Sequence, residues 1–168
     1  MLSEIKKISS LLLSVAFSSI GFIASITVTV LAAREVSSNP LFVGFPNAVG
    51  VGGAVLGTRM IYLISKNNSQ LNALAFTFLI GAFGGAIMFY SLIVDSFVML
   101  LFGAFILGIG QSATLQTRYA ASFVASEKFK ATALSLAVWF SVFGSVFGPR
   151  MVGSYSNFFE NIFNSELI

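Results

Sequence analysis

Runs of apolar residues, each about as long as a hydrocarbon core is thick, alternate with short polar connections through nearly the whole chain. They cover about 11–33, 41–64, 71–94, 97–116 and 131–155, close to the ~20 residues a helix needs to cross a bilayer. Lipid supplies no hydrogen-bond partners, so a segment at that depth must be a helix or a strand of a closed barrel. These runs are much longer than the roughly ten residues of a barrel strand. The sequence therefore predicts an all-α integral membrane protein with five transmembrane helices. Its 57% hydrophobic and 9% charged residues stand far from the roughly 25% charged of soluble domains, which removes a soluble core from consideration.

The chain has no His and no Cys, hence no imidazole or thiolate ligand, no disulfide and not the commonest general base. Serine is plentiful, but no His, Asp or Lys at mid-span activates one, so the sequence predicts neither an enzyme nor a metal or cofactor. A net charge of +3 is met by lipid head groups beside the spans rather than by a nucleic acid. The acids Glu4, Glu35, Asp95, Glu127, Glu160 and Glu166 fall near span ends or in connections, so no carboxylate is expected at mid-membrane to relay a proton.

Lys6 and Lys7, Lys66, and Lys128 with Lys130 occupy alternate connections, which should face the cytoplasm. The opposite connections hold Arg34, Glu35 and Asp95. Residues 1–10 are then a cytoplasmic N-terminus, 11–155 the bundle, and 156–168 an extracytoplasmic tail, with the protein in the inner (plasma) membrane. In the tail Phe158, Phe159, Ile162 and Phe163 have helical spacing, which suits an interfacial helix; a loop leading to a further span is the alternative. Lys6-Lys7 before an apolar run resembles a secretory signal, but the run is longer than such a segment needs, which favours a retained span over cleavage near Leu31-Ala32-Ala33.

Glycines recur about once per turn: Gly50, Gly53 and Gly57, then Gly81, Gly84 and Gly85, then Gly103, Gly108 and Gly110. Small residues at that spacing let helices approach closely, whether to pack a static bundle or to let helices slide. Near the end, Gly144, Gly148 and Pro149 set small residues one turn apart before a ring that removes a backbone donor and kinks a helix.

With Gly153, that segment resembles the fifth-helix G-x-x-x-G-P-x-x-G-G motif of major facilitator superfamily antiporters, with Val152 in place of one closing glycine. The stretch from Gly108-Ile109-Gly110-Gln111 through Gln116, Arg118-Tyr119-Ala120-Ala121, Glu127, Ala133-Leu134-Ser135 and Trp139 resembles helices four and five of bacterial drug or small-solute exporters of that superfamily. Of the basic loop usual between helices two and three, Lys66 remains. The resemblance covers about residues 7–155 and implies the first half of a transporter, one helix short of six.

Such carriers place solute at the midplane between two halves and alternate by rocking. The resemblance thus implies a small-molecule substrate and, as partner, a second half-transporter or the remaining C-terminal half. Gln111 and Gln116 are candidates for the substrate path, as are Ser25, Thr27, Thr29 and Asn47 if the helices take the family arrangement; for the hydroxyls the alternative is a bond back to their own helix. Gln111 has a bland alternative, a helix-to-helix hydrogen bond worth about 1 kcal/mol. Arg118 either anchors at the head groups, caps the helix end, or latches a gate by pairing with Glu127. The alternative from another class is a membrane scaffold that holds a partner through its glycine faces and transports nothing.

Overall fold

Where backbone groups find no water, each helix must begin and end with its own provisions, and the tightest connection shows how. In the computed structural model the third and fourth helices are joined by Val94, Asp95 and Ser96 alone. Asp95 takes φ 52°, a left-handed conformation that a short polar residue tolerates. Val94 N–H donates to the Tyr90 carbonyl at 3.2 Å, Ser96 N–H to the Ser91 carbonyl at 3.0 Å, and the Ser96 hydroxyl caps the next helix by accepting from Met99 N–H at 3.4 Å. A hairpin this short forces antiparallel packing.

The structure describes the backbone of residues 2–37, 40–67 and 69–165, and the side chains of residues 9–37, 41–67, 69–144, 146, 147 and 150. Its helices are α1 (Leu2–Val36), α2 (Phe45–Asn67), α3 (Gln70–Ile93), α4 (Phe97–Val124) and α5 (Lys130–Ser165), with 3₁₀ turns at Pro40–Phe42 and Glu127–Phe129. Among the described residues there is no strand. Among them too, α2, α3, α4 and the Ser9–Val36 part of α1 are each long and apolar enough to cross a membrane. The outward surface is apolar, with Phe17, Phe83, Val98 and Trp139 each at least 70% exposed. A surface of that kind is stable against lipid and not against water. The molecule is an all-α, multi-pass membrane protein.

The core clusters fix which ends lie together. Leu12 and Val15 of α1 pack with Ala121 of α4 and with Ala133 and Ala137 of α5. Ile61 of α2, Ala73 and Leu74 of α3 and Ala120 of α4 meet at that same end, and Ala32, Ala33, Met88, Leu100 and Ala104 close the other. α4 is the hub: half of its most apolar window is buried, against 17–28% for the other spanning helices. It is lined with Gly, Ala, Ser and Thr, so its neighbours approach its backbone.

α4 runs past Gln116 to Val124, so Arg118 stands inside a helix rather than at its end. The reason is local packing: Ala120 and Ala121 are buried helix formers, and Ser122 returns its hydroxyl to the Tyr119 carbonyl at 2.7 Å.

At the crossing of α1 and α5, a methyl added to Gly144 would lie 2.6 Å from Ser19 Cβ and 2.5 Å from the Ser19 carbonyl carbon. Only glycine allows this approach. Ser19 is 1% exposed and its hydroxyl has no hydrogen-bond partner. Ser19→Ala keeps the contacting Cβ and removes the unsatisfied group, so it should raise stability by about 1 kcal/mol. Thermal unfolding in detergent checks this, and a lowered midpoint would mean the hydroxyl is bonded in the membrane.

Candidate functional site

Two clefts meet at one side chain. The first, about 250 Å³, lies between α1, α3 and α4, with Ser18, Gly21 and Ser25 facing Gly81, Gln111 and Thr114. The second, about 200 Å³, lies between α1, α2 and α4 and is lined by Phe22, Ile26, Thr29, Asn47, Gly50 and Gln111 among others. Gln111, midway along α4, borders both.

Their polar groups differ in availability. Ser18 and Ser25 return their hydroxyl protons to the Val15 and Phe22 carbonyls at 3.3 and 2.7 Å, the usual habit of serine in such helices. Thr29 donates to the Ser25 carbonyl at 2.6 Å. The Gln111 amide donates to Ser25 Oγ at 3.5 Å, at the long limit of a hydrogen bond. Among the described residues, Asn47 makes no side-chain hydrogen bond. The second cleft therefore holds one free carboxamide and one weakly engaged, each able to donate and accept. Phe22 supplies an apolar wall beside them. No described lining residue of either cleft is charged. The arrangement suits reversible recognition of a small molecule; among the described residues no group of His, Cys, Asp or Glu could hold a metal ion.

The structure thus brings Asn47 and Gln111 together. Gln116 and Thr27 line neither cleft; Thr27 donates to the Ile23 carbonyl at 3.3 Å. Arg118 is half-buried, with its Nε enclosed and unpartnered. Arg118 and Glu127 are not paired in this structure, where Glu127 Oε1 accepts from Lys130 Nζ at 2.6 Å. The 3₁₀ turn sets these two residues three apart on one exposed turn, a shorter reach than back to α4, and so exposed a pair adds little stability. Lys66 is exposed at the end of α2. The surroundings of Gly148, Pro149 and Gly153 lie outside the described side chains.

Thr29 and Ser25, offered by the sequence beside Thr27, line the second and the first cleft respectively. Sequence reasoning missed one residue. Arg59 sits inside the second apolar run and is exposed on α2. The available signal was the lower mean hydropathy of that span, the lowest of the spanning helices.

Fold and site together define a helical membrane bundle with neutral, solute-sized clefts between its helices. The chain is 31% identical over 94% of its length to the MFS-type transporter YddS of Bacillus subtilis, of which it covers 36%. It is 30% identical over 87% of its length to the MFS-type transporter YdeG of the same organism, covering 34% of it. To the riboflavin transporter RfnT of Brucella anthropi it is 27% identical over 73% of its length, covering 31%. No protein-family model matches the chain, and no solved structure does. The chain spans about a third of the length of these relatives. Over most of its length the chain is thus similar to one part of MFS-type transporters, and its all-helical bundle is consistent with that likeness.

Proposed function

We propose that the chain forms part of a carrier that moves a small solute across the inner membrane by alternating access, with export as its direction. The cleft around Asn47 and Gln111 forms one wall of the path. The observation that carries this reading is that two carboxamides, one free and one weakly held, share a cleft bordering the middle of the most buried helix. Neighbouring hydroxyls, by contrast, are occupied by their own helices. The similarity to transporters over most of the chain supports it. A second half, or the segments that the longer relatives carry, supplies the opposite wall. The excess of Lys at the end where α1 begins, α2 ends and α5 begins favours a cytoplasmic N-terminus.

The name of RfnT makes riboflavin the first solute to assay, followed by a panel of neutral small molecules. In vesicles from cells expressing the natural gene product, Gln111→Ala or Asn47→Ala should slow transport about tenfold, the equivalent of one lost hydrogen bond at about 1.4 kcal/mol. Protein in the membrane should be unchanged. Transport unaffected by both substitutions would overturn the assignment of this cleft.

A further inference from the structure

Leu56 is the middle residue of α2 (Phe45–Asn67), and Arg59 stands three residues beyond it, about 4.5 Å along the axis at 1.5 Å per residue. The end of the helix at Asn67 is eight residues further, about 12 Å, more than one side chain spans to reach head groups. An arginine at this depth normally faces a partner or water inside a bundle. Arg59 does neither. The glycine face of α2, with Gly50, Gly53 and Gly57 buried, is turned to α4, and at 100° per residue Arg59 falls on the opposite face. There it is exposed and, among the described residues, makes no hydrogen bond or ion pair.

Among the described residues the chain supplies no counter-ion. α2, α3 and α4 contain no Asp or Glu. Among the described side chains, Glu35, Asp95 and Glu127 are exposed at helix ends or in connections. The nearest charge on the same face is Lys66, two turns on and of the same sign. Around Arg59 the face is apolar and bulky, with Val55 and Tyr62 each 67% exposed. A water-lined wall has no use for such side chains, whereas a helix-to-helix contact does. Val51, one helical turn before Val55 and 66% exposed, also lines the Asn47–Gln111 cleft, so whatever covers the face reaches the lip of that cleft.

We propose that the Val51–Val55–Arg59–Tyr62 face of α2 docks a transmembrane helix carrying an Asp or Glu at the depth of Arg59, and that the resulting ion pair fixes the register of the two. The occupant belongs to the part of the carrier that the longer relatives possess and this chain does not span. The carboxylate neutralises a guanidinium that otherwise sits uncompensated in lipid, and the bulky side chains interlock along the rest of the contact. The inference rests on α2 and on the length of the relatives, so a failed solute assay leaves it standing.

The test places a photo-cross-linking p-benzoylphenylalanine at Tyr62 in the natural gene product, expressed in its own membrane, and identifies the captured peptide by mass spectrometry. The expected adduct is a membrane-spanning segment with an Asp or Glu within one turn of the attachment point. Arg59→Asp should lower its yield about a hundredfold, the loss that follows when one member of a desolvated pair is removed. Arg59→Lys should keep the yield, and changing the identified acid to Arg in the Arg59→Asp background should restore it. If Arg59→Asp does not accumulate, Arg59→Gln carries the same comparison. Adducts to lipid alone, to another copy of this chain, or to a helix without an acid overturn the proposal, as does a yield indifferent to Arg59.

Discussion

Gly53→Ala should destabilise the bundle by about 2 kcal/mol, while Gly52→Ala, one residue earlier, should stabilise it by up to about 1 kcal/mol. Both substitutions gain the same helix propensity, so the difference isolates packing. A methyl at Gly53 overlaps the Phe105 carbonyl oxygen, comes within 3.0 Å of that carbonyl's carbon, and lies 3.3 Å from Ile109 N. All three are backbone atoms of α4 and none can rotate away, so relief requires the whole of α2 to move off the hub. A methyl at Gly52 meets nothing within 4 Å. Thermal unfolding in detergent, followed through the single Trp, distinguishes the two. Midpoints moving together in one direction would mean that α2 does not rest on α4 as closely as the structure has it.

The same pair of residues shows what could be read from the sequence. Gly50, Gly53 and Gly57 recur about once per turn, and that spacing alone marks one face of a helix for close contact. It does not say which helix lies on that face, because any smooth neighbour satisfies the same pattern. The identity of α4 as the hub was therefore not legible, nor were the clefts, which depend on how α1 leans against α2, α3 and α4 together. Gln111 stood out as a polar residue at mid-span, and Asn47 entered only through the family arrangement. Only packing distinguishes Asn47, with its free amide, from Thr27, whose hydroxyl bonds its own helix. Arg59 was hidden for a different reason. A span of this length stays apolar on average with one charge inside it, and averaging erases the residue whose position carries the most consequence. Of the three roles open to Arg118, sequence distance could not weigh the pairing with Glu127, because it is silent about competitors: in this structure Lys130 stands three residues from Glu127 and pairs with it.

The largest expected non-additivity lies where α3 crosses α4. Gly81 and Gly110 face each other there, and each would place an added methyl on the other's backbone: 2.7 Å from Gly110 Cα in one case, 2.5 Å from Gly81 Cα in the other. Gly81→Ala and Gly110→Ala should each destabilise by about 2 kcal/mol, since either one alone forces the helices apart. The double substitution should cost clearly less than the sum, with a coupling of about 1–2 kcal/mol. Once the helices have separated to admit one methyl, much of the room for the second already exists. Both residues border the larger cleft, so the separation also alters the wall next to Gln111. A double-mutant cycle on unfolding free energies measures the coupling. Strict additivity would mean that the two glycines do not share one contact, and that α3 and α4 cross elsewhere along their length.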